Sequence, residues 1–202
     1  MSSLPVRDPL AAVVVGLGGN LGGPSMVAVR IAAAIESISE QWGPALVSSH
    51  YVSAPVGPVA NQPNFLNAVA AWWPEQLPSP EEALALLQEL EHEHGRERIL
   101  VGGARTLDLD LLLHARQSRS SKGLQIPHPR MGERAFVLAP LRELFGDEFC
   151  WDVSLQTVTD RLCEPSVAEQ ECRRVGAGHV LAGAALAGAA SVGAATATEP
   201  ED

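Results

Sequence analysis

Asp108 and Asp110 stand two residues apart in the run Arg105-Thr106-Leu107-Asp108-Leu109-Asp110-Leu111-Leu112-Leu113. In an extended chain alternate residues share a face. Both carboxylates therefore point one way, while Leu107, Leu109 and Leu111 point the other, into a core. Neighbouring carboxylates repel each other and stay ionised together only with positive charge between them. A hard divalent cation is the natural candidate, because Mg²⁺ prefers oxygen and commonly takes one or two carboxylates plus substrate phosphates. Arg105, just ahead of the strand, would then face a phosphate. The competing reading is an edge strand with a solvated acidic pair, although Asp is depleted in strands.

Composition narrows the ligand. The 202 residues suffice for one domain with a sizeable core, and a net charge of −10 argues against broad binding to nucleic acid or anionic membrane. Of the 14 basic residues, eight (Arg96, Arg98, Arg105, Arg116, Arg119, Lys122, Arg130 and Arg134) fall within one short stretch. An acidic chain with one basic cluster suggests a small polyanion; a solvated basic face is the alternative. Lys122 is the sole lysine and lies in no phosphate-loop context, which excludes Walker-type and protein-kinase sites. Phosphate would have to be met by arginine, which suits bidentate contacts. No Ser-His-Asp or Cys-His set can be argued from position. These residues favour phosphoryl transfer, where catalysis is mostly positioning and charge neutralisation. Cys150, Cys163 and Cys172 show neither paired nor metal-type spacing and fit a reducing, cytoplasmic compartment. No secretory or membrane-spanning segment is evident.

Several elements must position these groups. Leu10 to Val15 reads as a buried strand running into Gly16-Leu17-Gly18-Gly19-Asn20-Leu21-Gly22. That run misses the dinucleotide fingerprint, since Leu21 stands where the third glycine is needed, but its glycines imply a tight turn or a close approach. Pro24 opens a helix with Ile31, Ile35, Ile38 and Trp42 on one face and Gly43 as its stop. Ala45 to Val52 and Phe65 to Trp73 read as strands joined by a proline-rich loop, the kind that is usually functional or mobile. Ser79-Pro80-Glu81-Glu82 is a capping box opening a helix that runs to about His94. His92 and His94 diverge on that helix and read as surface residues. Gly95 to Ala104 is a second open loop. His114 to Gly123 reads as a turn, and Pro140 argues against a helix through Phe136 to Leu144. The expected organisation is a flexible 1–9, a globular 10–171 and a disordered Ala/Gly-rich tail over 172–202.

Four segments together resemble the 6-hydroxymethyl-7,8-dihydropterin pyrophosphokinase family. They are Gly16 to Gly22; the loop Ser53 to Asn67; Gly95-Arg96-Glu97-Arg98 followed by Arg105 to Asp110; and Ile126-Pro127-His128-Pro129-Arg130 with Arg134-Ala135-Phe136-Val137-Leu138. The resemblance covers about Val13 to Trp151. It implies transfer of the β,γ-pyrophosphoryl group of ATP to the pterin hydroxymethyl oxygen, with release of AMP. It assigns two Mg²⁺ ions to Asp108 and Asp110, phosphate contacts to Arg96, Arg98 and Arg105, and nucleotide contacts to Gln88, Glu91, Leu111, His128 and Arg134. Ser53, Val56, Phe65, Asn67 and Phe136 match its pterin pocket, with the two phenylalanines sandwiching the flat ring. The two long loops would be lids that exclude water.

The implied fold is α+β: a ferredoxin-like antiparallel sheet with helices on both faces, in three αβα layers. The implied partners are small molecules only, with a monomer expected. The chain departs from the family pattern in carrying Gly102-Gly103-Ala104 where Trp-Gly-Pro is usual, in an extra residue between Pro58 and Gln62, and in Ala54 where proline is common. The altered lid motivates a second reading, a non-catalytic pterin- or nucleotide-binding relative. A third is a Mg²⁺-dependent nucleotidyltransferase, which would release pyrophosphate instead of AMP.

Overall fold

The computed structural model describes residues 7–57, 59, 61–95, 103–152 and 154–176. Strands β1 (Val13–Gly19), β4 (Phe65–Trp72) and β5 (Asp108–His114) pair antiparallel, with β1 in the middle. On the far side of β4 lie β2 (Ala45–Val47) and β3 (His50–Ser53), and β8 (Cys172–Val175) extends the sheet beyond β3. The order β5-β1-β4-β3-β8, with β2 also on β4, contains the ferredoxin-like arrangement. A hairpin, β6 (Arg119–Ser121) and β7 (Leu124–Ile126), stands apart from that sheet.

Alternation along the strands makes two cores. Helices α1 (Pro24–Trp42) and α2 (Pro80–Glu93) cover the face that carries Val13, Val15, Leu17, Leu109 and Leu111. Trp72 is fully buried there, edge-on to Trp42 at 5.7 Å between ring centroids, and its Nε1 donates to Ser39 Oγ at 3.1 Å. Helices α3 (Ala135–Phe145), α4 (Val158–Leu162) and α5 (Pro165–Ala168) cover the opposite face with Val14, Val69, Ala71 and Leu112. The three αβα layers are those expected.

Four local expectations are corrected. Ala45 to Val52 is two strands, because Ser48 Oγ accepts from Val69 N–H and Ser49 turns to Glu143 on α3. The His114 to Gly123 stretch includes β6, half of the hairpin, whose turn is made by Gly123 at φ 98°. Pro140 lies inside α3. It forfeits one backbone bond, which burial of Val137, Leu138 and Leu141 outweighs. Neither expected boundary holds as drawn. Asp8 caps a 3₁₀ turn over Pro9–Ala11, and Cys172–Val175, assigned to the tail, forms the edge strand β8. No helix among the described residues is long and apolar enough to cross a membrane.

His114 closes β5 with 1 % of its surface exposed. Burial holds this imidazole below its ordinary value. Its folded value thus lies below its unfolded one, so its contribution to stability is complete above about pH 6.5 and fades as pH falls from there toward the folded value. Replacing it with an apolar side chain, His114→Leu, is expected to flatten the fall in melting temperature between pH 7 and pH 5. A parallel fall in wild type and variant would contradict that assignment.

Candidate active site

The uncovered end of the α3 face holds a cavity floored by β1, β4 and β5. Gly16 and Gly18 of β1 stand opposite Asp110 and Asp108 on one side and Val69 and Asn67 on the other. Glycine is required where the strands crowd: a Cβ on Gly18 would lie 2.9 Å from Asn67 Oδ1, and one on Gly19 would lie 2.7 Å from the Thr106 carbonyl oxygen. Asp108 and Asp110 share the cavity face while Leu109 and Leu111 enter the first core, the alternation expected of the run.

Each carboxylate meets a guanidinium. Arg105 Nη1 donates to Asp108 Oδ2, and Arg134 Nη1 donates to Asp110 Oδ2 at 3.1 Å. Arg134 also stacks over the Phe136 ring at 5.6 Å. Phe136 and Val137, on the first turn of α3, form one wall; Ser53, Ala54 and Val56 form another, and Phe65 also lines the cavity. Asn67 is 5 % exposed and donates through Nδ2 to Ser53 Oγ at 3.0 Å and to the Tyr51 carbonyl at 3.3 Å. Its donors are thus committed to β3, which turns Oδ1 toward the floor at Gly18 as an acceptor.

Asn20 joins the loops at the rim. Buried to 4 % exposure, it donates to Gln62 Oε1 at 3.1 Å and to the Pro63 carbonyl at 3.0 Å, while its Oδ1 accepts from Arg105 N–H at 2.8 Å. The proline-rich loop and the approach to the Asp strand are therefore tied to one side chain.

A second cavity adjoins the first and shares Asp110. Leu84 of α2, Leu109 and Leu111 back it, Ser121 to Gln125 of the hairpin form its outer wall, and His128 and Pro129 close it. His128 is held against β5 by its own N–H, which donates to the Leu112 carbonyl at 2.9 Å. Burial lowers the basicity of this imidazole, and the Asp110 carboxylate works in the opposite direction.

The structure therefore brings together Ser53, Val56, Phe65, Asn67, Phe136, Arg105, Asp108, Asp110 and Arg134 on the first cavity, and Leu111 and His128 on the second. Two expected nucleotide residues border neither. Gln88 is exposed on α2. Glu91 is 3 % exposed, and its Oε1 accepts from the Leu109 N–H at 2.7 Å. Arg96 and Arg98 lie outside the described residues. Glu91 instead buttresses the outer edge of β5 midway between the two aspartates. Glu91→Ala should cost about 1–3 kcal/mol, read as a lower melting temperature with a fall in turnover, whereas Glu91→Gln keeps an acceptor and should retain most of both.

Among the described residues no group of three or more His, Cys, Asp or Glu side chains could hold a metal alone. The donor set still fits Mg²⁺ of a particular kind. Two carboxylates on one strand face offer hard oxygen ligands, and the neighbouring arginines suit the phosphates that would complete the shell.

Comparison with known proteins agrees with this geometry. Residues 14–146 match the family model described as 7,8-dihydro-6-hydroxymethylpterin-pyrophosphokinase. The 2-amino-4-hydroxy-6-hydroxymethyldihydropteridine pyrophosphokinase of Haemophilus influenzae is 42% identical over 135 residues, covering 66% of this chain and 81% of that protein. The protein of the same name from Pseudomonas aeruginosa is 44% identical over 135 residues, covering 67% and 81%. The mitochondrial folate synthesis bifunctional protein of Arabidopsis thaliana is 37% identical over 148 residues, covering 72% of this chain and 25% of its own length.

Proposed function

Because this chain belongs to the 7,8-dihydro-6-hydroxymethylpterin-pyrophosphokinase family, we propose that its two cavities divide the substrates of that reaction between them. The enzyme transfers pyrophosphate from ATP to the hydroxymethyl group of 6-hydroxymethyl-7,8-dihydropterin in folate synthesis, releasing AMP. The pterin takes the first cavity, its ring between Phe65 and Phe136 and its polar edge on Asn67. The nucleotide takes the second, against Leu111 and His128. The observation that carries this reading is that both cavities border on Asp110, so the two substrates meet where the charged groups are.

Asp108 and Asp110 would hold Mg²⁺, two ions in this reading. When bound, the metal neutralises phosphate charge and aligns attacking and leaving oxygens. The chain's own residues do the rest. Arg105 and Arg134, each paired with one of the two aspartates, would turn further N–H donors to the phosphate oxygens of the nucleotide. Arg96 and Arg98, which the resemblance assigns to the phosphates, would add positive charge. No side-chain nucleophile is required, because the acceptor is the substrate hydroxyl and catalysis rests on positioning. Loop closure, tied through Asn20, would exclude water that could otherwise attack ATP.

The same reading makes the protein a cytoplasmic monomer that engages neither nucleic acid nor membrane. The net charge of −10 and the cysteine spacing support it. Incubation with ATP, Mg²⁺ and the pterin tests the whole. AMP should form only when all three are present. Pyrophosphate release in place of AMP would identify a nucleotidyltransferase, and no turnover would identify a non-catalytic relative.

A further inference from the structure

Residues 147–176 lie beyond the stretch that matches the family model, yet two neighbours within them hold opposite walls of the first cavity. The first turn of α3 has no side-chain cap from Arg134, the residue before it. Gln170 supplies one from a distance: its Oε1 accepts from the Ala135 N–H at 2.9 Å. Its Nε2 donates to the Glu133 carbonyl at 2.7 Å and to the Ser166 carbonyl at 3.0 Å. One amide thus grips the backbone on both sides of Arg134 and directly ahead of Phe136. The next residue faces the other wall. The Glu171 carbonyl accepts from the Ala54 N–H at 3.1 Å, and Cys172 pairs with Ser53. Val167, 1 % exposed in the second core, anchors the segment that presents them.

We propose that Gln170 is a positioning residue for the pterin site. With the Glu171 carbonyl it sets the separation between the wall carrying Arg134 and Phe136 and the wall carrying Ser53 and Ala54, and so the width of the slot that receives a flat ring. This rests on the assignment of the first cavity to the pterin. Gln170 touches no substrate. Without it the first turn of α3 loses its cap, Phe136 gains freedom to move away from Phe65, and ring binding weakens. Phe136 meets only the ring, so the larger change falls on the KM for the pterin; because the same amide steadies Arg134, a smaller change in kcat and in the ATP KM accompanies it.

The test uses the full chain and steady-state AMP formation, with melting temperatures in parallel. Gln170→Ala is expected to raise the pterin KM by about three- to tenfold, with kcat and the ATP KM changed by less than about twofold. Gln170→Glu keeps the acceptor for Ala135 but loses the donor for Glu133, and should fall between. Thr157→Ala removes the N-cap of α4 in the same C-terminal segment. It should lower the melting temperature while leaving the pterin KM unchanged. Phe65→Ala is measured alongside as a probe of the cavity assignment. A raised KM in Phe65→Ala with none in Gln170→Ala overturns the proposal alone; no rise in either overturns it together with the assignment of the cavity. An equal rise in Thr157→Ala also overturns it, since a loosened fold would then account for the effect.

Discussion

Asp108→Ala and Asp110→Ala are each expected to lower kcat for AMP formation on the order of a thousandfold, because the loss of metal-borne charge stabilisation is worth several kcal/mol. The fold should survive. Both side chains are partly exposed, and each is paired with one arginine at the cavity surface. These pairs are only partly exposed, with Asp108 at 20 % and Asp110 at 34 %, so losing one partner should cost more than the about 0–1 kcal/mol of a surface pair, and melting temperatures should fall by several degrees without collapse. Leu109 and Leu111, which hold β5 against the first core, lie on the opposite face and are unaffected. Activity and stability are therefore predicted to separate. A variant with more than a tenth of wild-type turnover at saturating Mg²⁺ would contradict the metal assignment, and a collapse of the melting temperature would recast the pair as structural.

Asn67→Ala should lower kcat/KM for the pterin on the order of a hundredfold, with the ATP KM nearly unchanged. Two losses combine. The acceptor facing Gly18 disappears from the pterin edge, and the Ser53 hydroxyl and Tyr51 carbonyl lose the donors that Asn67 gives them. Each hydrogen bond lost or left unmade in a buried setting costs about 1–3 kcal/mol, which converts to roughly one to two powers of ten. Varying the pterin at saturating ATP measures it. A change below about threefold would remove Asn67 from the recognition of the ring.

The charged centre of the site was legible in the sequence because its signal is local. Period-two alternation fixes which way Asp108 and Asp110 point, whatever β5 pairs with. The five residues that the resemblance assigned to a pterin pocket are far apart in the chain but border one cavity, which supports the proposed pterin site. Groups that act across the fold were not legible. Asn20 and Gln170 are polar residues whose partners across the cavity lie 42 to 85 positions away for one and 35 and 37 for the other, beside a local bond from Gln170 to the Ser166 carbonyl. Nothing in their immediate neighbours encodes those bonds. Glu91 matched a nucleotide position, but its burial against the edge of β5 gives it a backbone partner that helix periodicity does not reveal. The hairpin wall of the second cavity had a readable signal, Leu124 and Ile126 alternating about Gln125 after a glycine, which the polar composition around Arg119 obscured. Pro140 shows the limit of breaker rules: three buried side chains on one helix face outweigh a single missing donor.

The locked Trp42–Trp72 pair has a practical consequence. These two, with Trp73 and Trp151, are the chain's 4 indoles, and none borders either cavity. Intrinsic emission will follow denaturation closely, while no indole reports substrate by direct contact. An optical titration of ligand binding calls for a reporter introduced at the rim, and Val56, 43 % exposed on the cavity wall, offers the position for it.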